Sequence, residues 1–229
     1  MKLKGFTLAE VLITMTLIGV IATLTLPALM TDVQRQQAGP AFMKAFGILD
    51  TANALLIDEN DWYNFRSCSG NGDYSDCFSS FVAGKLSATS VTAPAYNGFY
   101  GGELNLAGDA WLSKNGFIYY LASESPEGGN EGNGGTEGNE GAENEDYYDL
   151  YIDVNGLKGP NILGKDLFHV VVDVNDGNVF AKGSNIDPTS GDGTRWTDLC
   201  PASGVAEGHN GDACAGAITD NNGRVPYRF

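Results

Sequence analysis

Basic residues are scarce in this 229-residue chain: 13 Lys and Arg stand against 29 Asp and Glu, a net charge of −16. A sign so one-sided argues against nucleic acid or anionic lipid headgroups as partners, because both are met with basic patches. Histidine is scarcer still. His169 and His209 are the only two, and no H-E-x-x-H, G-x-S-x-G or Cys-His arrangement with family spacing occurs. The four cysteines form no C-x-x-C, so neither a zinc site nor attached haem is indicated. No complete G-x-G-x-x-G or Walker pattern is present. These absences remove the common enzyme signatures, and the chain reads as a non-enzyme with no required cofactor.

Charge is missing in another sense from Phe6 to Met30, where Glu10 is the only ionisable side chain. About 25 such residues make a helix long enough to cross a hydrocarbon core of roughly 30 Å. The preceding Met1-Lys2-Leu3-Lys4-Gly5 is a short basic leader, which the positive-inside rule keeps cytoplasmic. The rest of the chain then lies on the other side. A secretory signal fits poorly, since it would carry a 7 to 15 residue apolar core and an A-x-A-like cut beyond it. A carboxylate within hydrocarbon costs about 2.5 to 3.5 kcal/mol on insertion scales and is by default functional. Its partner must be sought. The run holds no Lys or Arg, but a cut between Gly5 and Phe6 would create an amine four residues before Glu10.

The order of a basic leader ending in Gly5, then Phe6-Thr7-Leu8-Ala9-Glu10 and a long apolar helix, resembles the N-terminus of type IV pilins and related pseudopilins. The resemblance implies that a prepilin peptidase cuts after Gly5 and methylates Phe6, and that Glu10 guides assembly with copies of the same chain and an inner-membrane assembly machinery. It implies an inner-membrane precursor with its head outside the cytoplasm, and an extracellular filament once assembled. In the family the Gly and Pro matching Gly19 and Pro27 bracket a stretch that can lose helical structure. The implied function is a structural filament subunit. The alternatives are a pseudopilin of a type II secretion system and a minor pilin displaying an adhesive head.

Beyond Met30 the helix continues to Glu59 on a stripe of Ala38, Phe42, Ala45, Phe46, Leu49, Ala52 and Leu56, with Asn53 off that stripe. Kinks are expected at Pro27 and at Gly39-Pro40. Residues 60–229 form the head. From Asn60 to Tyr100 the pattern is irregular and reads as loop with at most a small helix, its Trp62, Tyr63 and Phe65 packing on the main helix.

Tyr147 to Val154 alternates as a strand with one packed and one polar face, flanked by strands at Phe117–Leu121 and Phe168–Val174. Asn175-Asp176-Gly177 turns the last of these into a further strand at Asn178–Lys182. His169, opposite Phe168 and Val170, is expected at the surface. The fold class is α+β: a long N-terminal helix with an antiparallel sheet packed on its C-terminal half. Ser123–Asp146, with seven glycines, eight acids and no base, is expected to be a solvated mobile excursion between two strands.

The segment Asp153–Phe168 (DVNGLKGPNILGKDLF) is dense in turn residues, and similar runs occur in prepilin-like sequences. Gly156, Gly159, Pro160 and Gly164 suit tight turns, and Lys158, Lys165 and Asp166 could pair within it. Four cysteines allow three pairings; on the exported side, where disulfides persist, the local pairs Cys68–Cys77 and Cys200–Cys214 are the ones expected, the second closing a loop on the exposed edge. Ala217–Thr219 and Val225–Tyr227 suit short edge strands. Calcium, which takes oxygen ligands, is the metal for which the chain offers candidate ligands. Its candidates are Asp187, Thr189 and Asp192, ahead of Asp173, Asn175 and Asp176, whose place in a hairpin turn already accounts for them.

Overall fold

Thr7 opens the first helix and 51 residues follow without a break: α1 runs Leu8–Asp58 in the computed structural model, about 76 Å at 1.5 Å per residue. The structure describes residues 7–59, 61–69, 74–104, 106, 108–122, 147–190, 195–200 and 211–227, and of 27–32, 66, 68–69, 74–75 and 122 the backbone only. Gly19, Pro27 and Gly39-Pro40, expected to interrupt α1, all lie within it. Each proline removes one intrahelical donor, and the good helix formers around it carry the helix on.

The second half of α1 buries Ala38, Phe42, Ala45, Leu49, Ala52 and Leu56, as the spacing implies. Asn53 is buried too, contrary to its reading as off the stripe. Its Nδ2 donates to the Gly177 carbonyl at 3.1 Å, so a polar side chain is tolerated because it satisfies a turn of the sheet.

The described residues between 61 and 100 hold more regular structure than the irregular pattern suggested. They hold α2 (Asp61–Ser69), α3 (Tyr74–Cys77), a π-helical stretch (Phe78–Val82), α4 (Ala83–Lys85), and strands β1 (Ala88–Val91) and β2 (Tyr96–Asn97). Short helices escape a periodicity argument because each spans barely one or two turns. Trp62, Phe65 and Phe78 are buried as packing residues, whereas Tyr63 is 77% exposed. Trp62 Nε1 also donates to the Val174 carbonyl at 3.1 Å.

The remaining strands are β3 (Glu103–Leu104), β4 (Gly108–Ser113), β5 (Ile118–Ala122), β6 (Tyr147–Asp153), β7 (Leu167–Asp173) and β8 (Val179–Ala181). Six of them form one sheet in the order β1-β4-β5-β6-β7-β8, every neighbour antiparallel, while β2 and β3 form a separate hairpin. The β7–β8 hairpin turns at Asn175-Asp176-Gly177, with Gly177 at φ +72°, where a side chain would be strained.

One sheet face, with Tyr119, Leu121, Leu150, Ile152, Phe168 and Val170, packs on α1. The opposite face is not polar as expected: Ile118, Tyr120, Tyr151 and Leu167 are covered by Tyr96, Leu104 and Leu163. The alternation reports only that neighbouring side chains point oppositely. Whether the second face meets water depends on the β2–β3 hairpin and the turn before β7, which fold over it.

The C-terminal region holds α5 (Trp196–Leu199) and α6 (Cys214–Asp220), so Ala217–Thr219 is helical rather than an edge strand. Cys214 through Ile218 are all buried. A short helix buried all round has no amphipathic stripe to reveal it. Val225–Tyr227 is likewise outside the sheet, and Tyr227 Oη donates to the Gly164 carbonyl at 2.6 Å. Ser123–Asp146 lies outside the described residues, and the strands that enter and leave it, β5 and β6, are paired neighbours.

Candidate assembly interface

Leu8–Leu26 has a mean hydropathy of 2.0, and none of it is buried by the head. Leu12, Ile13, Met15, Leu17 and Ile18 each expose more than half their surface. So large a continuous apolar surface needs lipid or another protein around it. Its threonine hydroxyls are already internally satisfied. Thr14, Thr16, Thr23 and Thr25 donate their hydroxyls to the carbonyls of Val11, Leu12, Val20 and Ile21 at 2.7 to 3.0 Å. Such back-bonding lets a threonine face hydrocarbon without an orphaned donor.

Glu10 is placed by a capping box. Its backbone N–H donates to Thr7 Oγ1 at 3.3 Å, and its Oε2 accepts from the Thr7 N–H at 2.8 Å and the Thr7 hydroxyl at 2.7 Å. A carboxylate in the first turn also faces the positive end of the helix dipole. Both Thr7 donors fall on Oε2, so the geometry keeps Oε1 for a further donor. Gly19 is exposed, and a Cβ built there meets no atom within 4 Å. A mid-helix glycine costs about 1 kcal/mol relative to alanine, and nothing inside this chain requires one. Pro27 lies within α1, its side chain not described, and Gly5 and Phe6 lie outside the described residues.

The N-terminal segment, residues 1–26, matches the family model described as the prokaryotic N-terminal methylation motif. The chain is 31% identical over 135 residues to a fimbrial protein, EcpC, of Eikenella corrodens, an alignment covering 52% of this chain and 88% of that protein. It is 26% identical over 109 residues to a fimbrial protein of Neisseria meningitidis serogroup A, covering 45% of this chain and 64% of the relative. The chain belongs to the type IV pilin family. No solved structure matches it. This pilin is a structural subunit of a type IV pilus-like filament. Membership implies assembly with other subunits and processing by prepilin peptidase, and the exposed helix is the part of the pilin built to anchor a precursor in a membrane.

In the head, Cys200 and Cys214 form a disulfide with their Cα atoms 4.8 Å apart. Cys214 is fully buried against Phe99, Ala217 and Tyr227, so the bond is anchored in a core rather than on an exposed edge. Cys77 is disulfide-bonded, and Cys68, its expected partner, has no described side chain.

Of the calcium candidates, Asp187 accepts from the N–H groups of Gly183 and Thr189 at 2.8 and 2.9 Å and from the hydroxyls of Thr189 and Ser190. Lys182 Nζ donates to Thr189 Oγ1 at 2.7 Å. Asp187 and Thr189 thus organise a turn beside an ammonium group, and Asp192 lies outside the described residues. Among the described residues no group of three or more His, Cys, Asp or Glu is arranged for a metal ion. Asp173 accepts from the Asn175 N–H at 2.7 Å, and Asp176 from that of Asn178 at 3.1 Å, the hairpin role expected of them.

Two polar clusters were not legible in the sequence. His169 is 3% exposed, not a surface residue. Its Nδ1 lies 2.7 Å from Asp212 Oδ1, its Nε2 lies 2.8 Å from Asp149 Oδ1, and its ring stacks on Tyr151 at 4.4 Å. Burial alone would push the imidazole down, but the charges of Asp212 and Asp149 outweigh it and raise it to about 9. Asp149 lies diagonally across from His169 in the register. Asp212 comes from 43 residues away, where no local signal points to it.

The second cluster is the turn-rich segment. Asp166 does not pair with Lys158 or Lys165: it accepts from Asn155 Nδ2 at 2.7 Å and from the N–H groups of Asn161 and Ile162. Asp153 accepts from the N–H groups of Asn155 and Gly156, both at 3.0 Å. Burial first, then the nearby Asp166 charge, raises Asp153 to about 7. The Gly159-Pro160 bond is cis, and Gly156 and Gly164 have positive φ, as tight turns require.

Proposed function

We propose that this pilin is a shaft subunit whose mature chain begins at Phe6 with a methylated amine, cut from Gly5 by prepilin peptidase. The precursor sits in the inner membrane through Leu8–Leu26, its leader cytoplasmic and its head outside, and the same helix passes into the filament core among copies of itself. The observation that carries this is the unburied apolar helix with one carboxylate, Glu10, in its first turn. Glu10 Oε1 takes the terminal amine of a neighbour's Phe6, a charge-assisted bond strengthened in apolar surroundings. Gly19 admits close approach of a neighbouring helix, which accounts for a glycine the chain itself does not need.

Intact-mass analysis of purified filaments tests the cut. The expected mass is that of residues 6–229 plus one methyl group, and retention of residues 1–5 in assembled material would overturn it. Glu10→Ala should insert in the membrane at least as well as the wild type, because a carboxylate in hydrocarbon is removed. Its filament yield should fall sharply. Wild-type yield from that variant would show that Glu10 has no partner in the neighbour.

A further inference from the structure

Packing of the apolar helices leaves open how one head meets the next. The strand register gives the head two ends. At the base, Asp153 pairs with Ile118 and Leu167, near Phe42 of α1, whose ring lies 4.9 Å from that of Phe168. At the top, Tyr147 pairs with Asp173, and Asn53 and Trp62 reach the Gly177 and Val174 carbonyls. The base faces Leu8–Leu26 along α1, and the top lies level with the last turns of α1, where Asn53 meets Gly177.

Charge is unequal between these ends, although Glu103, paired with Asn97 beside Ile162, is an exposed acid on the base side. At the base, Lys44 sits 5.9 Å over the Phe117 ring, Lys114 occupies the β4–β5 turn, and Lys158 and Lys165 line a cavity of about 340 Å³ between α1 and the turn-rich segment. Gln34 and Gln37 form the α1 wall. The one carboxylate in that lining, Asp166, is engaged by three donors of its own chain. At the top stand Asp58, Glu59, Asp61, Asp173 and Asp176, with Lys85 already paired to Glu59. The chain leaves β5 and enters β6 at this same end through Ser123–Asp146, eight acids and no base.

The two ends are separated by the length of β6, seven residues or about 24 Å. Two complementary ends on one self-assembling chain make a heterologous contact, which propagates from copy to copy. We propose that the Lys158–Lys165 cavity at the base of each head receives the acidic Ser123–Asp146 segment from the top of a second copy, so that heads stack base to top. The inference rests on the filament-subunit reading and adds the contact between heads. The segment's amides and carboxylates suit a cavity lined by Lys158, two glutamines and Lys165, whose ammonium group also lies 4.8 Å over the Phe99 ring, and the opposed fields favour one polarity of stacking over its reverse.

Carbodiimide treatment of intact filaments, which joins a lysine to a carboxylate it touches, tests the contact without altering the protein. Covalent dimers and higher steps are expected, with peptides linking Lys158 or Lys165 to a glutamate of 123–146. Dimers without those links, or the links confined to monomers, overturn the proposal. Lys158→Glu gives a second reading, because that side chain is exposed and the head does not depend on it. Filaments of the variant should come apart at salt concentrations several-fold below those the wild type withstands, since the contact is screened over about 8 Å at physiological ionic strength. Unchanged salt tolerance overturns it. If the surface filaments lack this chain altogether, the shaft-subunit reading falls, whereas filaments built of it without the cross-link remove only the stacking contact.

Discussion

His169 shows what a single residue contributes once its surroundings are known. Strand alternation places it opposite Phe168 and Val170, and on a solvated face it would be an ordinary titrating group. Here both ring nitrogens are engaged and the imidazole keeps its proton up to about pH 9. A histidine raised from 6.5 to about 9 on folding contributes stability that is full below pH 6.5 and is lost as pH rises through 9. Asp153, raised from 3.8 to about 7, acts in a different window: the folded state holds its proton more tightly, so stability falls as pH rises from 3.8 to 7. Denaturation of the head as a function of pH should therefore show two descending steps. His169→Gln should remove the upper step and cost about 3 kcal/mol at pH 6, the low end for breaking a buried charged pair. Asp153→Asn keeps an oxygen for the Asn155 and Gly156 amides and should remove the lower step. A variant that leaves its step in place would show that the residue does not carry it.

Among the elements, α1 has two roles, and glycine marks the join between the helix and the C-terminal turn. A Cβ on Gly39 would lie 2.2 Å from the Gly223 carbonyl oxygen, so backbone packs on backbone where the helix meets the Asn221–Gly223 turn. Gly47, two turns on, is exposed and a Cβ there would meet nothing within 4 Å. Gly39→Ala should destabilise the head by about 1 to 3 kcal/mol or more through overpacking. Gly47→Ala should stabilise it by up to about 1 kcal/mol through helix propensity. Urea denaturation of the two variants side by side distinguishes packing from propensity, and equal shifts would refute the close approach at Gly39.

At the scale of the whole molecule, the apolar half of α1 and the head are energetically separate in the single chain. None of Leu8–Leu26 is buried by the head, whereas Ala38 to Leu56 supplies one wall of its core. Residues 31–229 should therefore fold as a soluble protein, with a stability within about 0.5 kcal/mol of the head in the detergent-solubilised full chain. Calorimetry of the two forms checks this. A large loss on removing 1–30 would mean that the N-terminal half supports the head in a way its exposure does not reveal.

Local chemistry and period were enough to read the N-terminal segment, the buried stripe of α1, the strands around β6, the β7–β8 turn and the Cys200–Cys214 bond. Each is a signal of residues close in sequence. Glu10 stands out because hydrocarbon makes a lone carboxylate expensive, and Asn175-Asp176-Gly177 because few residues accept its backbone angles. Tertiary structure alone decided which surfaces are inside. The second sheet face is covered by a two-residue-per-strand hairpin too short to announce itself, and α6 is buried all round and so carries no stripe. His169 meets Asp212 across 43 residues, and Asp166 takes its donors from the turn folded around it. Burial is a property of what lies opposite a residue, and periodicity reports only which way that residue points.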